Sequence, residues 1–194
     1  MNCLCIDTTS NILTVVFVAD GRKAVRSLDV GKSGHTAVLL SVTDAVLKEA
    51  GTDVSSVDAV ALVTGPGSFT GIRIGAATAT AFCQATGAKR IAVTAFEILS
   101  HGRQDVIAAV EAGHGNLYAA HCTNGSVRED FFLTAEERAQ AEKRGEKFLF
   151  SPLGPTADVF AEIALRKAER GEFTDVFRPY YMRKSQAERN RDEI

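Results

Sequence analysis

The sequence predicts an α/β protein of two lobes, each a mixed sheet with helices, and three observations carry that reading. Val57 to Val63 is a continuous apolar run of strand length, as a strand buried on both faces requires. Two long apolar segments, Thr36 to Ala50 and Thr70 to Thr86, flank it with helical composition. The element order of the first half then returns more loosely in the second. The spans 1–100 and 101–194 are the expected N-terminal and C-terminal lobes, the latter ending in a basic-aromatic tail.

Each element has its own signal. Leu4-Cys5-Ile6-Asp7 is a short apolar run ended by an acid, and Thr8-Thr9-Ser10-Asn11 is a polar turn. Ile12 to Ala19 and Lys23 to Val30 read as strands around an Asp20-Gly21 turn, which makes a meander. After the break at Gly31 to Gly34 comes the first helix, closed by Gly51. Thr64-Gly65-Pro66-Gly67-Ser68 separates the buried strand from the second helix; Ile91 to Val93 is a short strand and Ala95 to His101 a short helix. In the second half, Val106 to Val110, Leu117 to Cys122 and Val127 to Leu133 read as strands, the last two joined by an Asn124-Gly125 hairpin turn. Thr134 and Glu137 form a capping box. Phe148 to Phe150 is a strand and Pro155 to Arg170 a helix.

Composition narrows the function. The 194 residues carry 22 basic and 24 acidic side chains, a net charge of −2, and residues 1–100 balance at 8 and 8. No lobe-wide positive field is available to grip a phosphate backbone, so unaided nucleic-acid binding is disfavoured. Cys3, Cys5, Cys83 and Cys122 form no C-x-x-C pair and read as buried thiols of a reduced, cytoplasmic protein. The N-terminus has no basic n-region, and no apolar run reaches the roughly 20 residues of a membrane helix.

The two helices of the first lobe are too apolar for their size. Only Ser41, Asp44 and Lys48 make a polar stripe on the first, while Arg73 is the sole charge on the second. Gly71, Gly75, Ala76, Ala77, Ala79 and Ala81 give that second helix a small, smooth surface. A lobe of about 100 residues rarely has enough layers to enclose such helices, so they are expected to cover a partner's equivalent pair.

Two further features bear on nucleotide chemistry. The loop Gly65-Pro66-Gly67-Ser68 before a helix suits either a phosphate cradle or a tight capped turn. It lacks the spacing and lysine of a P-loop. Asp7 with Thr8 and Thr9 suits a hydrated Mg²⁺ or a self-capped turn. His35, His101, His114 and His121 form no zinc-ligand spacing, and no Ser-His-Asp or Cys-His set is signalled. The tail Arg178-Pro179-Tyr180-Tyr181-Met182-Arg183 reads as a packing strap followed by a solvated end.

The run Thr64-Gly65-Pro66-Gly67-Ser68-Phe69-Thr70-Gly71-Ile72-Arg73-Ile74-Gly75 closely resembles the bacterial TsaB (YeaZ) family. Ile6-Asp7-Thr8-Thr9, Gly34-His35-Thr36 and Tyr180 to Glu188 match further family stretches in order, nearly end to end. The resemblance implies the two-lobed actin-like (ASKHA, ribonuclease H-like) fold and a part in making threonylcarbamoyladenosine in tRNA. It implies a degenerate paralogue of TsaD, the subunit that transfers the threonylcarbamoyl group to an adenosine beside the anticodon. On that basis the chain is a non-catalytic scaffold, with no metal or required cofactor, that touches tRNA only indirectly. It pairs its N-terminal helices with TsaD, or with a second copy as a homodimer, and TsaE joins the assembly. His35, Val38, Leu39, Val42, Val46, Arg73, Ala77 and Ala81 are the expected partner-binding residues. The alternative is an ATP-binding enzyme holding Mg²⁺ and phosphate with Asp7, Thr8, Gly65, Gly67 and Ser68. The family's Asp-Ala-Arg is replaced by Val110-Glu111-Ala112-Gly113, and the second lobe is short for the family. The old "glycoprotease" label finds no nucleophile or metal set here.

Overall fold

A computed structural model describes residues 1–19, 21–31 and 34–183. Asp20 of the predicted turn and Lys184 to Glu188 of the predicted tail lie outside the described residues. The first sheet has five strands: β1 (Cys3–Asp7), β2 (Ile12–Ala19), β3 (Arg22–Asp29), β4 (Ala59–Val63) and β5 (Lys89–Val93). Their order is β3-β2-β1-β4-β5. The meander β1-β2-β3 is antiparallel, whereas β4 runs parallel to β1 and β5 parallel to β4. The second sheet is smaller. It orders β8 (Ser126–Leu133), β7 (Leu117–Thr123), β6 (Asp105–Glu111) and β9 (Phe148–Leu149), with β9 parallel to β6.

Strand β4 explains its own sequence. Alternate residues of a strand face opposite sides, so a run apolar at every position needs cover on both. Val60 and Leu62 meet α1 (His35–Glu49) and α2 (Phe69–Thr86) through Leu39, Val46, Ala79 and Cys83. Ala59, Ala61 and Val63 meet α5 (Thr156–Glu169) through Phe160, Ile163 and Ala164. That helix comes from the second half of the chain yet lies on the first sheet. The strand begins at Ala59 rather than the expected Val57, because Val54–Ser56 forms a 3₁₀ turn capped by Asp53. The first strand's thiols are buried as expected, with Cys3 and Cys5 Sγ atoms 3.8 Å apart on the α5 side.

Helix α3 (Ala95–Ser100) joins the lobes. Thr94 and Glu97 close a capping box at its start, and its Phe96 packs on Ala108, Ala120 and Cys122 of the second sheet. The predicted box of Thr134 and Glu137 opens α4 (Ala135–Lys143). Asn124 and Gly125 both take positive φ, 51° and 77°, as a two-residue hairpin turn demands. No helix among the described residues is long and apolar enough to cross a membrane.

The cover supplied by α5 is testable. Phe160 is fully buried against the first sheet, so Phe160→Ala is expected to cost about 3–5 kcal/mol in urea unfolding. An unchanged midpoint would mean that α5 does not support the sheet.

Candidate functional site

The C-terminal end of β1 and the start of α2 press together to form the centre of the molecule. Asp7 Oδ1 accepts from the Thr9 amide at 2.8 Å and the Thr9 hydroxyl at 2.7 Å. Thr8 is fully buried and donates its hydroxyl to the Gly71 carbonyl at 2.7 Å. The Ser68 amide donates to the Thr9 carbonyl at 2.6 Å, while the Ser68 hydroxyl caps α2 by accepting from the Gly71 amide.

The glycines exist for this approach. A Cβ on Gly67 would stand 2.3 Å from the Thr9 carbonyl oxygen, on Gly71 1.9 Å from that of Thr8, and on Gly75 2.4 Å from the Thr8 hydroxyl. Gly65, at φ +124°, would drive a Cβ to 2.8 Å from the Tyr180 carbonyl oxygen. The loop is a tight turn in which Ser68 caps α2 and the glycines admit the Thr9 and Tyr180 backbone.

A cleft of about 970 Å³ opens between the lobes. Of the sequence-predicted nucleotide residues, Asp7, Gly67 and Ser68 line it, whereas Thr8 and Gly65 are turned to internal packing. The second lobe contributes Glu111, Tyr118 and Phe150, which sequence reasoning did not select. Glu111 is paired with Arg138 at 3.1 Å, and that guanidinium also reaches Glu142 at 3.0 Å and lies over Phe150. None of the described residues lining the cleft is basic. Asp7 and Glu111 place a carboxylate on each wall, the latter held by Arg138. Among the described residues no group of three or more His, Cys, Asp or Glu is placed to hold a metal ion.

Asp7 and His35 face each other electrostatically. Burial pushes the Asp7 carboxyl above its ordinary range, against the hydrogen bonds from Thr9 and the nearby His35, which pull it down. Burial likewise pushes His35 down, while the Asp7 charge and a hydrogen bond to the Ser10 backbone oppose it. The His35 Nε2 is buried with no hydrogen-bond partner among the described residues.

The helix pair divides its sequence-predicted residues into two sets. His35, Leu39 and Val46 are buried in the chain's own core and present no surface to a partner. Apolar residues recurring at helical spacing served the sheet beneath them. Val38 and Val42 are half-buried, while Arg73, Ala77 and Ala81 are exposed along one face of α2. On α1, Leu40 is 64% exposed, the most exposed large apolar residue among the described residues.

A family model described as TsaD: tRNA N6-adenosine threonylcarbamoyltransferase matches residues 30–131, more than half the chain. A Haemophilus influenzae protein named tRNA threonylcarbamoyladenosine biosynthesis protein TsaB is 30% identical over 136 residues, 66% of this chain and 56% of the relative. Its Escherichia coli namesake is 29% identical over 126 residues, 62% and 54% respectively. The chain belongs to the TsaD family, in its TsaB (YeaZ) branch. It spans a little over half the length of these curated relatives. A solved structure of a Pseudomonas aeruginosa protein similar to peptidase YEAZ matches with a TM-score of 0.77 and 25% identity, over 94% of this chain and 99% of that one. YeaZ from the same organism matches at 0.75 and 24%, over 93% and 99%, which shows the shared fold. The mixed α/β fold expected from the sequence, two sheets with helices, is the fold found and is shared with these YeaZ structures.

Two tests follow from this geometry. Gly71→Ala gains about 1 kcal/mol of helix propensity, yet the clash with Thr8 is expected to outweigh it and leave a net loss of about 1–3 kcal/mol in urea unfolding. Stability also depends on pH with opposite signs at the two buried groups. His35, held low, supports the fold above its ordinary value of about 6.5 and withdraws that support as pH falls through its depressed value. Asp7, held high, favours the fold below about 3.9 and loses that contribution as pH rises through its raised value. As pH falls from 7 to 5 the two contributions oppose each other, and His35→Gln, which removes the destabilising one, should raise the variant's unfolding midpoint relative to the parent's; a pH slope identical to the parent's would refute the assignment.

Proposed function

We propose that this chain is a non-catalytic subunit that docks on the TsaD enzyme and supports transfer of a threonylcarbamoyl group to the adenosine beside the anticodon of tRNA. The names of its curated relatives supply the pathway. The observation that carries the docking role is the exposed surface of the helix pair: Ala77 and Ala81 are small enough for another helix to approach closely, and Leu40 of α1 is a large exposed apolar side chain. Arg73 stands at the rim of that face and supplies a charge for orientation. In isolation the same face pairs with a second copy of the chain, so self-association and docking compete. TsaE joins the assembly through the docked pair, and tRNA is held by the complex rather than by this chain alone.

Light-scattering size exclusion tests the reading, with the chain run alone and mixed with TsaD from the same organism. A heteromeric peak is expected, and Ala77→Glu should abolish it while leaving the circular dichroism spectrum unchanged. Two unchanged species in the mixture would remove the mechanism. ATP binding by the isolated chain, lost in Asp7→Ala, would instead favour an enzyme working in the cleft.

A further inference from the structure

The strap at residues 178–183 crosses from one lobe to the other, and one residue of it binds both. The Tyr180 amide donates to the Thr64 carbonyl at 2.8 Å, at the end of β4 in the first lobe. The hydroxyl of the same residue donates to Asp130 on β8 of the second sheet. Its ring lies edge-on to Phe96 at 6.1 Å, on the helix that joins the lobes.

The neighbours on the strap continue the pattern on each side. Tyr181 stacks on Phe69 at 4.2 Å and accepts from Arg73 Nε at 3.2 Å, and that guanidinium covers the Phe69 ring at 4.3 Å. All three groups belong to the start of α2 or the strap. Met182 and Tyr180 pack on the core beneath the second sheet, and the Arg183 guanidinium lies over Phe132 of β8 at 4.1 Å. The segment is therefore held by α2 through Tyr181 and by β8 through Tyr180 and Arg183.

Its seat lies in the glycine-rich loop. Gly65 has no side chain where the Tyr180 carbonyl passes, and any Cβ there would meet that oxygen at 2.8 Å and the Ile72 side chain at 2.9 Å. The next three residues, Pro66, Gly67 and Ser68, line the cleft. One short loop thus has the strap on one side and the cleft on the other.

We propose that residues 178–183 are a latch across the two lobes, seated on Gly65, that sets how far the cleft opens. With the strap in place, Tyr180 and Arg183 tie β8 to the loop at the end of β4, and the second lobe cannot swing away from the first. Release of the link to Asp130 frees the second lobe to rotate about the α3 junction. Access to the cleft is then governed by the end of the chain rather than by the residues lining the cleft.

The test uses the full chain with spin labels at Asn11→Cys and Ala112→Cys, which lie on opposite walls of the cleft. Pulsed electron resonance should give a narrow distance distribution. Combining Tyr180→Phe with Asp130→Ala should lengthen and broaden it. Exchange at the residue-180 amide should quicken by about tenfold or more, as loss of a hydrogen bond to a carboxylate predicts. Asp130 is exposed, so Asp130→Ala alone serves if the double variant does not fold. A distance distribution unchanged from the parent in either folded variant overturns the latch, whatever the exchange rate does.

Discussion

The approach of α2 to the end of β1 is the constraint on which the rest depends. A helix normally stands off a sheet by the length of its side chains. Here three glycines remove that spacing, and the Thr8 and Thr9 carbonyls sit almost against the helix backbone. The buried hydroxyl of Thr8 satisfies a carbonyl in the first turn of α2, and Ser68 closes the helix start from the other side. This contact aims α2 across the sheet, places α1 beside it, and leaves the small-residue face pointing outward. It also spends the hydrogen-bonding groups of the loop on the protein itself.

The same contact shapes the glycine loop before α2. Glycines before a helix leave backbone amides open to an anion only when nothing fills the hollow. In this chain the Thr9 carbonyl accepts from the Ser68 amide, and Tyr180 passes close to Gly65. The cleft keeps its volume and its Asp7, and Arg138 from α4 pairs with its other carboxylate, Glu111. A binding face on the helices and a cleft shaped by the strap are then separate features of one framework.

Much of the fold was legible in the sequence. The apolar run around Val60, the Gly51 helix stop, the Thr134–Glu137 capping box and the Asn124-Gly125 turn each obey a local rule and landed where that rule placed them. The start of β4 was misjudged because Val57 continues the apolar pattern while Asp53 caps a turn just before it. The candidate site was less legible. Helical spacing told that α1 and α2 were apolar all round, but not which apolar residues faced inward, so His35, Leu39 and Val46 were grouped with the truly exposed Ala77 and Ala81. Glu111, Arg138 and Phe150 come together only through the fold of the second sheet, and no local pattern marks them.

The placement of α5 ties the fate of the first sheet to the far end of the chain. Cys5, Val16, Ala61, Ile91 and Val93 face α5, which is made more than sixty residues after β5. During synthesis the meander, β4 and β5 emerge with one apolar side bare, and that side stays bare until the whole second sheet has been made. The first lobe is thus complete in its strands long before it is complete as a folded unit. For that interval the nascent chain exposes a flat hydrophobic sheet of the kind that chaperones bind, and a ribosome stalled between residues 100 and 156 would hold it in that state.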